Sequence, residues 1–330
     1  MKIIKIFLIF YLFIFSAYSN DHNFESWKKD FKKHALNEGV KLKTLEELID
    51  KSKFLPNVIK YDRYQPEFYE DTKTYVSKRT SAKKVLLGKK LYQNHQNIID
   101  KISKAYNIDK YLLLALMGIE TNFGKYLGKM DIISSLATLS YDKRRSKFFT
   151  SELITLLKLV DEKKIDSSTL FGSWAGAFGN FQFMPSTINN YALDHNNDGV
   201  IDLKNIEDSF ASAANYLNNL GWNNKIPCFY NIDLNKSIPI EYLNTSAKKI
   251  KKKKNLSFFL KYIDNSDISN KYNDSSTAII TPDADIVQDV NKFSPAFIVF
   301  ENYELILKWN RSLRFGLAVC TLRNKFKNEF

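Results

Sequence analysis

The stretch Asp109-Lys-Tyr-Leu-Leu-Leu-Ala-Leu-Met-Gly-Ile-Glu120-Thr-Asn constrains this chain more than any other. It predicts a strong helix, with Asp109 placed to cap its start and Gly124 to end it. Leu112, Leu116 and Glu120 are spaced by four, so they stack on one face. Glu120 therefore continues a face that is otherwise buried. A carboxyl there loses hydration, which favours its protonated form near neutral pH, the form a general acid needs. Gly124 and Gly128 follow closely and leave room for an extended substrate. The competing reading is a helix-terminal Glu turned out to solvent.

A second block, Gly172-Ser-Trp-Ala-Gly-Ala-Phe-Gly-Asn-Phe-Gln182-Phe-Met-Pro-Ser186, alternates small residues with aromatics. Its glycines let the backbone approach another chain closely. Ser173, Asn180 and Gln182 are the hydrogen-bonding groups of this apolar loop. Such a loop lines a sugar groove, or it is a tight turn packing two helices.

Lys2 and Lys5 precede the apolar run Ile6–Phe15, and Ser16-Ala17-Tyr18-Ser19 follows. That order reads as a secretory signal cleaved near Ser19. The run is shorter than the roughly 20 apolar residues of a membrane span, which leaves an uncleaved anchor as the alternative. The expected location is the periplasm, with no membrane span in the mature chain. The net charge is +13, or two less once Lys2 and Lys5 leave with the signal. A basic surface suits a polyanion, and outside the cytoplasm that is wall polymer or anionic lipid sooner than nucleic acid. The run Lys248–Lys254 reads as a solvated loop. Cys228 and Cys320 pair in an oxidising compartment, or stay as two buried thiols.

Apolar content of 44% in 330 residues supports a large core and more than one subdomain. The fold class is α+β and helix-dominated. Residues 20–105 form a helical N-terminal subdomain, broken by Pro56 and Pro66, with helical spacing at Glu46–Leu55 and Ala82–Tyr106. Residues 106–225 form a helical core that carries Glu120, with helices at Ile132–Ser140, Phe148–Lys164, Thr187–Leu193 and Phe210–Leu220. Residues 226–330 are β-rich, with strands at Cys228–Ile232, Ser275–Ile280, Phe297–Phe300 and Tyr303–Trp309. A return to helix is predicted at Ser312–Phe326.

Gly118-Ile-Glu120-Thr-Asn-Phe-Gly124, Ser135-Leu-Ala-Thr-Leu-Ser140 and Gln182-Phe-Met-Pro-Ser186 resemble lytic murein transglycosylases of the membrane-bound B type. Gln65-Pro-Glu-Phe68, Gly221-Trp222, Asn302-Tyr303 and Trp309-Asn310-Arg311-Ser312 extend the resemblance over most of residues 65–320. It implies a lysozyme-like core flanked by a helical and a smaller β subdomain. It also implies a monomer that acts on peptidoglycan glycan strands without a catalytic cofactor. The bond cut is the β-1,4 link between N-acetylmuramic acid and N-acetylglucosamine, leaving a 1,6-anhydromuramic end. In this scheme Glu120 is the single acid and base, and no second carboxylate is needed, unlike the paired-carboxylate glycosidases. Asp131 and Asp142 belong to no second catalytic motif.

By matching positions, Ser173, Gln182, Tyr216 and Asn310 line the groove, with Tyr75 a weaker match. Arg144 and Arg145 match a paired-arginine motif that contacts glycan or peptide. Lys143 stands where Pro is frequent, and Phe315 stands where Tyr is usual, which removes a hydroxyl.

Asp194, Asn196 and Asp198, with Gly199 and Val200 following, have the spacing of an EF-hand start. Position twelve is Asn205 rather than Glu, which on its own favours an ordinary Asx turn. The resemblance implies a longer loop closed by Asp208, so a structural Ca²⁺ held by Asp194, Asn196, Asp198, the Val200 carbonyl and Asp208 is expected. The rival functions are a hydrolytic muramidase and a non-catalytic peptidoglycan-binding protein.

Overall fold

A computed structural model of the chain describes residues 23–65, 69–265, 268–284 and 293–330. The expected signal at 1–19 lies outside the described residues, as do Pro66 to Phe68 of the upstream motif. The chain forms two compact units. One comprises residues up to Tyr64, Leu127–Asn190 and Asn196–Leu203; the other comprises Gln65–Tyr126, Tyr191–His195 and Lys204–Phe330.

The first unit is helical. At its centre is Ile132–Tyr141, whose residues from Ile132 to Ser140 are all buried. Asp131 caps it by accepting the Ser134 N–H at 3.0 Å. Helix Ser146–Asp161 packs Phe149, Leu153 and Leu157 against it. Two hydroxyls of this helix have a clear use. Ser134 Oγ accepts the Lys53 N–H at 2.9 Å and Thr138 Oγ1 accepts that of Leu55 at 3.0 Å. They satisfy backbone donors of an irregular segment that has no ladder of its own. Phe24, Trp27, Phe31, Phe54 and Tyr141 close the core in an aromatic cluster. Pro56 opens the helix Pro56–Arg63 rather than breaking one, because its missing N–H costs nothing at the first position. The helix expected over Glu46–Leu55 ends earlier, as a π-helical turn at Leu45–Ile49. Strand β1 (Met130–Asp131) pairs antiparallel with β2 (Phe171–Gly172).

The second unit combines long helices with a sheet. Helix Leu313–Glu329 packs on Thr72–Arg79 and on Lys110–Thr121. Arg323 donates to the Asp109 carboxylate at 2.6 Å, fixing the start of the Lys110–Thr121 helix. The sheet runs β4 (Leu243–Asn244), β7 (Ser276–Ile280), β8 (Ala296–Phe300), β3 (Phe229–Leu234), β6 (Ile263–Asn265), and β5 (Lys254–Asn255) also pairs with β7. Its pairs are antiparallel except β4 with β7. Ile232, Ile279 and Ile298 from the strands bury against Leu256 and Phe259 of the short helix Leu256–Leu260. Cys228, next to β3, is joined to Cys320 of the last long helix, so the two cysteines are a disulfide rather than free thiols.

One strand expectation fails. Tyr303–Trp309 lies in the helix Glu301–Trp309, where Tyr303, Ile306 and Leu307 bury at three- and four-residue spacing. Glu301 and Glu304 in its first turn and Lys308 in its last suit the helix dipole.

Candidate active site

The Glu120 helix spans Lys110–Thr121, with Asp109 accepting the Tyr111 N–H at 2.8 Å as its cap. Residues Leu112 to Gly118 are buried and Glu120 is half-buried, as a carboxyl at the end of an apolar face should be. The helix stops at Thr121, earlier than Gly124. Asn122, Phe123 and Gly124 all take left-handed conformations (φ 51°, 61° and 78°), and Asn122 is the C-cap. The chain thus folds back on itself, and Phe123 covers Gly118. A Cβ at Gly118 would stand 2.7 Å from Phe123 Cζ, so the Phe123 ring would have to shift to admit one two residues before Glu120.

Trp309 Nε1 donates to Glu120 Oε1 at 3.1 Å. An indole N–H has no lone pair to offer, so it orients the carboxyl without competing for its proton. Trp309 lies 5.1 Å from the ring of Tyr216, which stacks at 4.5 Å on Tyr191. The Tyr216 hydroxyl donates to the Lys308 carbonyl at 3.4 Å, and burial, then the nearby Tyr191, push its pKa up. It is a donor and a wall at neutral pH, not a base. Asn310 caps the same Trp309 helix and is half-buried. Tyr75 is buried, with the Arg79 guanidinium 3.5 Å above its ring. Phe315 is also buried, so its ring packs in the core instead of meeting a sugar face.

Sequence reasoning missed Trp309 as a site residue. The signal was present in Trp309-Asn310-Arg311-Ser312, but an indole does not titrate and the amide beside it drew the attention.

In the first unit, the loop through Ser173 and Gln182 is held by its own backbone. Ser173 Oγ accepts the Ala177 N–H at 3.0 Å, and Phe178 pairs with Phe183 as an isolated bridge. Gly176 (φ 86°) lies so close to Leu136 that an added Cβ would be 2.4 Å from its Cδ2. Gln182 is itself left-handed at φ 49°, and its amide donates to the carbonyls of Leu127 at 3.2 Å and Gly179 at 3.0 Å. The aromatics Phe178, Phe181 and Phe183 are buried, while Ser173 and Gln182 keep partial exposure. In the same unit, Arg144 Nε donates to buried Asp62 at 2.7 Å and Arg145 pairs with the other oxygen. The Asp62 contact raises the Arg144 pKa further above its ordinary value.

The loop expected to hold calcium carries hydrogen bonds between its own side chains and backbone. Asn196 Nδ2 donates to Asp198 Oδ2 at 2.8 Å, Asp198 Oδ1 accepts the Val200 N–H at 3.0 Å, and Asn197 and Gly199 are left-handed. Asp208 is fully buried and accepts the His195 N–H at 2.8 Å. Among the described residues no group of three or more His, Cys, Asp or Glu side chains stands where it could hold a metal ion.

Residues 23–324 match the family described as Transglycosylase SLT domain. The chain belongs to that family. The membrane-bound lytic murein transglycosylase B of Escherichia coli strain K12 is 34% identical over 149 residues, which is 45% of this chain and 41% of that protein. The match thus spans about two fifths of that relative's length. SltB3 of Pseudomonas aeruginosa, solved in complex with NAG-NAM-pentapeptide, has a TM-score of 0.80 and 29% identity over 92% of this chain and 79% of that one. The Escherichia coli lytic transglycosylase Slt35, solved in complex with calcium, has a TM-score of 0.74 and 23% identity over 92% of this chain and 93% of that one. The α+β, lysozyme-like fold expected from the sequence agrees with these SLT-domain relatives.

Proposed function

We propose that the chain is a lytic transglycosylase that cuts peptidoglycan strands, with Glu120 as its single acid and base. The observation that carries this is the half-buried Glu120 carboxyl held at Oε1 by Trp309 Nε1. The protonated carboxyl delivers its proton to the glycosidic oxygen between N-acetylmuramic acid and N-acetylglucosamine. The substrate's N-acetyl group stabilises the cationic carbon. Glu120, now ionised, takes the proton of the muramic 6-hydroxyl as that oxygen attacks, which leaves a 1,6-anhydro end. The other carboxylate in the cavity at Glu120 is Glu70, bound by Lys78 at 2.6 Å and Arg79 at 2.9 Å and held below its ordinary pKa, first by the Lys78 contact. It is engaged as a counter-ion, which leaves the acid and base work to Glu120.

Ser173, Gln182, Tyr216 and Asn310 are assigned to glycan contact. Tyr75 is a supporting residue, and Arg144 and Arg145, oriented by Asp62, contact glycan or peptide. A zymogram on purified peptidoglycan tests the enzymatic reading: a cleared band is expected, and binding without clearing contradicts it.

Export fits the Cys228–Cys320 disulfide, which persists in an oxidising compartment. Among the described residues no helix is long and apolar enough to cross a membrane. N-terminal sequencing of the mature protein should begin within a few residues of Asn20, and an intact Met1 in the membrane fraction contradicts export by cleavage.

The loop donors Asp194, Asn196, Asp198, the Val200 carbonyl and Asp208 are all oxygens, which suits a hard cation. Ca²⁺ binding there is a structural role, neutralising three carboxylates. At about a hundred times Kd the cation adds about 2.7 kcal/mol. For a chain of this size that is a rise in melting temperature of roughly 4 °C. Asp198→Ala should remove the rise, and identical wild-type melting curves in Ca²⁺ and in chelator contradict the assignment.

A further inference from the structure

Between Glu241 and Asp264 the chain carries seven lysines, Lys248, Lys249, Lys251 to Lys254 and Lys261, and no acidic residue. All of them are exposed, yet the backbone that displays the run is fixed. Ile250, in its middle, is buried. Asn244 of β4, also buried, grips Lys251 twice. Its Oδ1 accepts the Lys251 N–H at 2.8 Å, and its Nδ2 donates to the Lys251 carbonyl at 3.1 Å. Lys254 lies in β5, and Thr277 of β7 donates its hydroxyl to the Lys254 carbonyl at 3.0 Å. Charges on a fixed frame meet a partner without first losing chain entropy.

Carboxylates neutralise only part of this charge. Lys252 lies 3.6 Å from Glu241 and Lys253 lies 2.7 Å from Glu304. Among the described residues, Lys248, Lys249, Lys251, Lys254 and Lys261 form no ion pair. Like charges held on so short a stretch repel, so the patch gains from an anion. Its other half is aromatic. The ammoniums of Lys254 and Lys261 stand 5.6 and 4.8 Å from the centre of the Phe258 ring. Tyr242 and Tyr262 flank that ring at 5.3 and 5.9 Å, and all three rings are half-buried. None of these residues lines the cavity at Glu120. A soluble acidic polymer would use the charges and leave the rings in water. A phospholipid surface uses both, because ammoniums meet phosphates while aromatic rings favour the headgroup level.

We propose that this face of the second unit, the lysine run with Lys261 and the rings of Tyr242, Phe258 and Tyr262, docks the protein on an anionic phospholipid bilayer. The attachment is peripheral and reversible, with the lysines on lipid phosphates and the rings among the headgroups. Salt weakens it, because the charges meet the lipid in water. The inference goes beyond the wall-cleaving reading and does not depend on it.

The test is pelleting of the full-length mature protein with vesicles of phosphatidylcholine alone and of phosphatidylcholine and phosphatidylglycerol in equal parts. Binding is expected on the anionic vesicles, at least about tenfold stronger than on the neutral ones and lost at high salt. Each lysine at such a surface is worth roughly fivefold in partitioning, so Lys248→Gln with Lys249→Gln and Lys251→Gln should weaken binding by about a hundredfold. Lys29→Gln with Lys51→Gln and Lys147→Gln, which removes equal charge from exposed positions of the first unit, should leave it nearly unchanged. Equal binding to both vesicles overturns the proposal, as does an undiminished run variant or an equal loss in the two triple variants. Protein that binds soluble polyphosphate but no vesicle makes the partner an acidic polymer and also overturns it. Pelleting reads no cleavage, so each of these outcomes leaves the enzymatic reading to its own zymogram.

Discussion

Glu120→Gln should lower peptidoglycan cleavage by two to four orders of magnitude, about the contribution of a positioned general acid and base. The amide is nearly isosteric with the carboxyl, and its oxygen can still accept from Trp309 Nε1, so the local geometry survives. What it lacks is a proton that can be given and taken back. Both halves of the reaction use that proton, and Glu70, the other carboxylate of the cavity, is bound by Lys78 and Arg79 and does not replace it. Melting temperature and glycan affinity should stay near wild type, which separates lost chemistry from lost fold. A variant that solubilises peptidoglycan at the wild-type rate would remove Glu120 from the mechanism.

Removing the disulfide should have the largest effect on stability. Cys228 and Cys320 are 92 residues apart, and in the chain-entropy account closing a loop of this length stabilises the fold by about 4–5 kcal/mol. That is a large share of the roughly 5–15 kcal/mol by which a folded domain exceeds its unfolded chain. Both cysteines are buried, and the bridge fastens the strand end at β3 to the helix Leu313–Glu329, which in turn packs against the Glu120 helix. The Cys228→Ala, Cys320→Ala double variant should unfold at clearly lower denaturant concentration and lose activity at temperatures the wild type tolerates. An unchanged midpoint would mean that the closed loop is already restricted in the unfolded chain.

The features legible in the sequence are those set by local pattern. The apolar run ending in Glu120 gives the helix and the position of the carboxyl, because spacing alone puts residues four apart on one face. The glycine-aromatic loop packs as a turn with its rings buried, while Ser173 and Gln182 remain partly exposed. Tyr303–Trp309 was misread because its β-branched and aromatic content suggests a strand while its burial follows helical spacing. The less legible features depend on residues distant in sequence. Asp62 meets Arg144 and Arg145 across some eighty residues, and Trp309 meets Glu120 across 189. The cavity at Glu120 gathers lysines from three separate stretches. Linear spacing carries no record of such meetings.

In the proposed mechanism Glu120 ends the reaction on the substrate's own hydroxyl rather than on water. Mass spectrometry of the sugar ends released from purified peptidoglycan by the wild-type protein separates the two. Muropeptides ending in 1,6-anhydromuramic acid are expected, each lighter by one water than the hydrolytic product. Release of reducing muramic ends instead would make the enzyme a hydrolase and contradict the assignment.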